Sequence, residues 1–401
     1  MHELSDLMYI KNEAENMRST LVNWANINSG TANLNGIKLM QKAIIKKFTD
    51  LNAQLQRHPS LIYTKIDEYG QPKSQITGDV IHFSKRPEAK RQIILCGHCD
   101  TVFSQDNDFQ AVEVIDNNTL QGPGVADMKG GIIVMHAALS MLEQMPNKKN
   151  LGWQVFINAD EETGSIGSAS ILKKLTQSVE YGFVYEPALD DEGTLAYHRK
   201  GSGNFSFCFY GKSAHVGRAF EMGKSAIVAL SAMIAQLHAL NSMKNLIVNI
   251  AKIQGGDALN QVPDFALCHV NVRTEKQTDE QVFFKSVEKI ISNINVEYGI
   301  KVVMHGQFNR KPKCIDNNTA KLYQYIIEKA KHLDLQLLTH DTGGCCDGNN
   351  LSSLGIPNVD TLGVRGGKIH TNEEYIKLDS LVERAQLSAI IFAGLANGEL
   401  V

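Results

Sequence analysis

Leu95-Cys96-Gly97-His98-Cys99-Asp100-Thr101-Val102 is the stretch on which the fold turns. The run entering it, Gln92-Ile93-Ile94-Leu95, is short, apolar and bounded by charge, the pattern of a buried strand. His98 and Asp100 sit two apart where that strand ends, and ligands of open α/β sheets gather at the carboxyl ends of strands. Two chemistries compete there. Cys96-Gly97-His98-Cys99 is a C-x-x-C, the pattern of a redox dithiol. Alternatively, His98 is a metal ligand and Asp100 the carboxylate that orients it.

Composition narrows the setting. A chain of 401 residues exceeds the usual single core, so two domains are expected. With 40 basic and 43 acidic residues the formal charge is -3, which gives no electrostatic case for nucleic acid or an anionic membrane. Met1-His2-Glu3-Leu4-Ser5-Asp6 lacks the basic and apolar regions of a signal peptide, and no apolar stretch reads as long enough to span a bilayer. Seven scattered cysteines, with Cys345 and Cys346 adjacent, argue against a disulfide framework and for a reducing, cytoplasmic compartment.

Periodicity supplies the architecture. Asn35 to Leu51 puts Ile37, Met40, Ile44, Phe48 and Leu51 on one helical face. Strands at Asp79–Phe83, Gln92–Cys96, Trp153–Asn158 and Tyr181–Tyr185 alternate with helices at Gly130–Gln144 and Ser165–Thr176, which indicates an α/β sheet covered on both faces. After Lys200 the order becomes β-α-β-β-α-β, ending in a strand at Lys301–His305, a ferredoxin-like unit inserted into the first domain. Helices near Thr319–His332 and Asp379–Leu395 close the chain.

Further clusters fall where strands are expected to end. Asp127 lies in Gly122-Pro123-Gly124-Val125-Ala126-Asp127-Met128-Lys129-Gly130-Gly131, which lacks the endings of a phosphate loop or a dinucleotide fingerprint. Taken alone, it reads equally well as a helix cap. Asp160-Glu161-Glu162 crowds carboxylates that repel one another unless a cation neutralises them; the bland alternative is a solvated turn. Glu186 follows the strand at Phe183, and His370 stands in Ile369-His370-Thr371-Asn372-Glu373-Glu374. Singly, such residues are more often structural. Jointly, His98, Asp127, Glu162, Glu186 and His370 form an N/O donor set suited to zinc, one ligand too many for a single catalytic ion and enough for two sharing a carboxylate. Glu161 is then left over to act as a base.

These motifs, with Gly211-Lys212-Ser213-Ala214-His215-Val216-Gly217, resemble the dizinc peptidase and deacylase family of glutamate carboxypeptidase, acetylornithine deacetylase, succinyl-diaminopimelate desuccinylase and aminoacylase. The match runs from about Gly30 to the end and is closest to the glutamate carboxypeptidase branch. The resemblance implies a zinc-peptidase-like α/β catalytic domain, a mixed sheet covered by helices, at 1–199 and 309–401, with a ferredoxin-like dimerisation or lid domain at 200–308. It implies two zinc ions per subunit, replaceable by cobalt or manganese: His98, Asp127 and Glu186 on one, Asp127, Glu162 and His370 on the other. Asp100 would orient His98, Glu161 would be the general base, and a cis peptide would follow Asp127. His215 would reach a neighbouring subunit's site to stabilise an oxyanion, which requires a homodimer. Asn260 and Arg273 match positions that contact the substrate carboxylate; Arg310 and Gly344 would line the same pocket, although Lys311 blurs the alignment beside Arg310. Cys345 and Cys346 replace the family's usual Ser or Thr.

The implied activity is hydrolysis of an amide beside a free carboxylate, by a carboxypeptidase releasing a residue such as glutamate or by an N-acyl-amino-acid deacylase. The dithiol reading is weakened because no helical period opens after Cys99, and Asp100 disfavours a thiolate beside it. An inactive binding homologue is disfavoured by the complete ligand set and the intact Glu161.

Overall fold

The structure, a computed structural model, describes residues 7–400, so the N-terminal reading at Met1–Asp6 lies outside the described residues. Its central sheet has six strands in the spatial order Gln54–His58, Val80–Lys85, Leu151–Asn158, Arg91–His98, Tyr181–Val184 and Asn358–Val359. The last four run parallel; the first two are antiparallel and close one edge. Alternate residues of Arg91–His98 enter different cores. Ile93 and Leu95 pack with the helices Leu34–Phe48, Gly130–Leu142 and Asp379–Ala396, whereas Ile94 and Cys96 pack with Ile171, Leu172 and Leu351 on the other face.

Every residue of the helix Gly130–Leu142 is buried. Contrary to the expectation of no such stretch, the 18-residue segment Val125–Leu142, mean hydropathy 1.3, is long and apolar enough to cross a membrane. Its burial against Asp379–Ala396 accounts for that apolar character, as the core helix of a sheet.

Strands Gly201–Tyr210, Leu246–Gly255, Phe265–Thr274 and Lys301–Arg310 form a second, antiparallel sheet with helices Ala226–Ala239 and Gln277–Tyr298 on one face. Phe205, Phe207, Phe209, Met233, Val270 and Phe283 fill its own separate core. The fourth strand runs to Arg310, five residues past the expected His305, because its cavity-facing side is polar and hides the strand period. The helix expected from Ser165 spans Ala169–Leu175 instead. Gly164 and Ser165 have left-handed backbones (φ 100° and 54°), and Asp160 accepts hydrogen bonds from the Gly167 and Ser168 amides, which holds the preceding residues in a turn.

Smaller pairings that periodicity did not show complete the frame. Tyr375–Lys377 pairs with Thr119–Gln121, bringing the His370 loop beside the Gly122–Asp127 loop. Leu195–Arg199 runs parallel to Thr339–Thr342, and Tyr63–Ile66 pairs with Pro72–Gln75 in a projecting hairpin.

Glu143 ties the edge of the central sheet to the end of the buried helix. It receives Arg86 Nη1 and Nη2 at 2.9 and 2.7 Å, Trp153 Nε1 at 2.9 Å and Lys85 Nζ at 2.9 Å. Burial pushes its pKa up, but the Arg86, Trp153 and Lys85 hydrogen bonds outweigh it and hold the carboxyl at about 2. Because the folded value is depressed, this stabilisation is present above the ordinary value of 4.5 and is lost as pH falls toward about 2. Glu143→Gln is expected to lower unfolding free energy by about 2 kcal/mol at pH 7. The deficit should shrink at pH 3; urea midpoints at the two pH values check it, and an equal deficit at both would remove the charge from the argument.

Candidate metal and amide-hydrolysis site

Strand register assembles the cluster. His98 pairs with Asn158 and Cys96 with Val184, so the carboxyl ends of Arg91–His98, Leu151–Asn158 and Tyr181–Val184 lie side by side. The turn at Glu161 and Glu162 and the residue Glu186 therefore emerge next to His98. Asp127 comes from the opposite side, at the start of the buried helix. Gly131 allows this approach, since a Cβ there would fall 2.1 Å from the Tyr185 carbonyl oxygen. The Asp127–Met128 peptide is cis.

Asp127 stands between two donor groups. One carboxylate oxygen lies 2.9 Å from His98 Nε2, which is also 3.8 Å from Glu186. The other lies 3.3 Å from His370 Nε2, itself 3.2 Å from Glu162. Ligand atoms of His98, Asp127 and Glu162 fall within 4.8 Å of one another, as do those of His98, Glu161 and Glu186. The carboxylate of Glu161, a member of the second group, is also 2.7 Å from Arg310.

The electrostatics call for cations. Burial raises Glu162 to about 8 and Glu186 to about 7, in both cases helped by Asp127. Burial likewise raises Glu161 to about 8, against the lowering effect of Arg310. His370 is pushed up to about 11 by Asp127 and Glu162. Glu186 Oε1 is buried with no hydrogen-bond partner among the described residues, an acceptor left open for an ion. Imidazole and carboxylate donors of this number fit a pair of divalent ions of the zinc type.

Residues 94–392 match the profile of Peptidase family M20/M25/M40. The chain belongs to this family. Carboxypeptidase G2 of Pseudomonas sp. (strain RS-16) is 24% identical over 389 residues, covering 95% of this chain and 89% of the relative. Succinyl-diaminopimelate desuccinylase of Buchnera aphidicola subsp. Acyrthosiphon pisum (strain APS) is 25% identical over 310 residues, 73% of this chain and 80% of that one. A tripeptidase structure from Staphylococcus aureus shares the fold, with a TM-score of 0.76 at 24% identity over 96% of this chain and 99% of the other. This M20 protein is thus an enzyme of the metallopeptidase and amidohydrolase class, with a mixed α/β catalytic fold.

The M20 frame leaves the dithiol reading without a geometry. Cys96 and Cys99 are buried in different cores, on opposite faces of the sheet, and burial together with Asp100 pushes the Cys99 thiol up to about 12. Asp100 has a wider task than orienting His98. Its backbone oxygen is 2.9 Å from His98 Nδ1 and its carboxylate 3.5 Å, while the carboxylate accepts the Glu161 and Glu162 amides at 3.3 Å each and Thr31 Oγ1 at 2.8 Å.

A cavity of 1180 Å³ opens on the cluster and is lined by Arg273, Arg310 and Gly344. Arg273 Nη1 lies 3.0 Å from Cys345 Sγ, and Arg310, 3% exposed, donates to the Cys345 oxygen at 3.0 Å and to Ser165 at 2.8 Å. His215 and Asn260 do not line this cavity; they adjoin each other on the inserted domain, where the Val216 amide donates to the Asn260 oxygen at 3.0 Å.

Two residues escaped the sequence reading. Arg199 lines the cavity with its Nε bonded to Asp360 at 2.9 Å; nothing in its strand pattern signals that position. Glu374, 1% exposed, accepts the amides of Gly124, Ala126 and Asp127 at 3.3, 2.9 and 3.0 Å, so it fixes the backbone that presents Asp127. Its position in His370-Thr371-Asn372-Glu373-Glu374 was the available signal. Glu374→Ala is expected to weaken metal affinity about 10–100-fold with the fold retained. Competitive titration against a chromophoric chelator measures it, and unchanged affinity would reduce Glu374 to loop packing.

Proposed function

We propose that the protein is a zinc-dependent carboxypeptidase that releases a C-terminal amino acid such as glutamate from a small peptidyl or acyl substrate. The supporting observation is the meeting of Glu161 with cavity-lining arginines: Arg310 at 2.7 Å, with Arg273 on the same cavity beside Cys345. A planar guanidinium fork suits a substrate carboxylate, and carboxypeptidase G2 covers 95% of this chain. The second reading, an N-acyl-amino-acid deacylase, is favoured by the likeness to the desuccinylase; it cleaves the same bond with a different acyl group.

In this reading His98, Asp127 and Glu186 hold one zinc and Asp127, Glu162 and His370 the other, with cobalt or manganese as substitutes. When bound, the ions polarise the scissile carbonyl and make water a stronger acid. Glu161 accepts a proton from the attacking water and delivers it to the departing nitrogen, which is otherwise too basic to leave. Asp100 holds the Glu161–Glu162 turn and His98 in one frame. Arg273, Arg310 and the backbone at Gly344 receive the carboxylate end of the substrate, with Asn260 of the partner subunit reaching it across the dimer. Glu161→Gln should lower kcat about 10²–10⁴-fold while keeping two zinc per chain by elemental analysis. Removing zinc with a chelator should abolish turnover and restoring it should recover turnover; iodoacetamide-insensitive loss of this kind separates metal from thiol chemistry.

The reading includes a cytoplasmic homodimer formed through the inserted domain. Its support is the distance of His215 and Asn260 from their own cavity, and the exposed apolar side chains Phe220, Met222 and Leu259 nearby, 61%, 61% and 102% exposed. His215 Nδ1 accepts the Gly217 amide at 3.1 Å, which leaves Nε2 carrying the proton and able to donate to an oxyanion in the partner's site. Mixing inactive His215→Ala and Glu161→Gln subunits should then restore up to about a quarter of wild-type activity, because half of randomly paired dimers contain one complete site. No recovery after verified subunit exchange would remove His215 from its role across the interface.

A further inference from the structure

The open face of the inserted sheet carries chemistry that the metal cluster does not use. Along Gly201–Tyr210, Phe205, Phe207 and Phe209 enter the core, whereas Ser202, Asn204 and Ser206 face the cavity. Register sets a neighbour on each side of these. Ser202 lies opposite Arg273 and Arg310, Asn204 opposite Asn271 and Gln307, and Ser206 opposite His269 and His305. The face therefore reads as successive rows: guanidinium, carboxamide, then imidazole and hydroxyl.

Parts of each row are already fixed. Asn271 donates to Asn204 Oδ1 at 2.8 Å and accepts from Arg273 Nε at 2.9 Å, and Ser206 Oγ is hydrogen-bonded to His269 Nδ1 at 2.8 Å. The side chains of Gln307 and His305 make no hydrogen bond among the described residues, and both line the cavity. They are donors and acceptors left for a ligand.

The groove has two ends. It begins beside Glu161, which Arg310 of the first row contacts at 2.7 Å. Its far end is closed by the Tyr63–Gln75 hairpin. A Cβ on Gly70, at the hairpin tip, would lie 2.7 Å from the Phe265 ring and 3.4 Å from Cys208 Sγ, so the tip rests on the sheet one row beyond Ser206. The base of the hairpin is held near the catalytic turn, with Tyr63 Oη 3.3 Å from Thr163 Oγ1, and Tyr63, Thr64, Lys65 and Ile66 form a side wall. From Ser202 to Cys208 the strand advances about 20 Å, at ~3.3 Å per residue.

We propose that this groove is a closed-ended site for the acyl side of the substrate, and that it takes a short extended peptide of at most about five or six residues. The rows repeat every second residue of a strand, about 6.6 Å, which is also the two-residue repeat of an extended peptide. Alternate residues of such a peptide meet one row each. An apolar acyl chain would instead leave carboxamides and imidazoles desolvated without partners, which binding disfavours.

The inference rests on the amide-hydrolase reading, and one substrate series separates the two. Zinc-loaded enzyme is given an N-acetyl amino acid and N-acetyl peptides of increasing length sharing that C-terminal residue. kcat/KM should rise about tenfold from the N-acetyl amino acid to the tetrapeptide and fall about tenfold from hexapeptide to decapeptide. Gln307→Ala and His305→Ala should each lower the ratio of tetrapeptide to N-acetyl amino acid kcat/KM about fivefold. Replacing the tip Asp67-Glu68-Tyr69-Gly70-Gln71 with a two-residue Asn-Gly turn should raise the ratio of decapeptide to tetrapeptide; if that variant does not fold, the point variants carry the test. Indifference to length, or variants that lose equal factors on both substrates, overturns the groove and leaves the hydrolase standing. Failure of zinc-loaded protein to cleave any member overturns both.

Discussion

Repulsion among buried carboxylates is the constraint that the rest of the structure answers to. Asp127, Glu161, Glu162 and Glu186 converge where parallel strands end, with Asp100, Asp160, Asp347 and Glu374 close behind them. Each of the outer four accepts hydrogen bonds from the protein itself, although Asp160 Oδ1 has no partner among the described residues. Asp100 and Asp160 accept backbone amides, Asp347 accepts Ser165 and Asn158 at 2.6 and 2.8 Å, and Glu374 closes on three amides of the Asp127 loop. Of the inner four, Arg310 answers Glu161. Asp127, Glu162 and Glu186 face imidazoles, with Arg199 acting on Glu186 at longer range, and one oxygen of Glu186 has no hydrogen-bond partner among the described residues. The negative charge that the protein leaves uncompensated calls for a cationic ligand.

The sequence carried much of this, because the central strands are short apolar runs whose ends coincide with the reactive residues. His98, Glu161 and Glu186 were legible for that reason: each stands within three residues of a strand end. Asp127 and His370 were not legible from position, since each reads alone as a cap or a surface residue. The donor count joined them to the others, and the resemblance gave each its place. Their actual support comes from the pairing of Tyr375–Lys377 with Thr119–Gln121, three residues each and invisible to any periodicity test.

Other features were hidden for a different physical reason. The extension of the strand Lys301–Arg310 beyond His305 and the hairpin at Tyr63 line a cavity, and a cavity wall is polar where a core-facing strand is apolar, so neither shows the alternation by which a strand is recognised. Arg199 was missed on similar grounds: it is a buried charge whose partner, Asp360, lies far along the chain. Long-range pairing of this kind has no local signature.

Arg310 joins the two halves of the molecule more tightly than a carboxylate anchor alone would. It is the last residue of the inserted sheet, yet its guanidinium bonds Ser165, the backbone of Glu161 and of Cys345, and the Glu161 carboxylate, all in the catalytic body. Any movement of the inserted sheet relative to the body must therefore move or break the contact to Glu161. Under the proposed function, a substrate carboxylate that took a share of this guanidinium would compete with Glu161 for it, and Arg310, together with His98, lowers the proton affinity of Glu161 against burial. Under that reading, recognition of the substrate's free carboxylate and the basicity of Glu161 would be set by the same side chain. That coupling would follow from placing a single arginine where the strand Lys301–Arg310 ends beside the Glu161 turn.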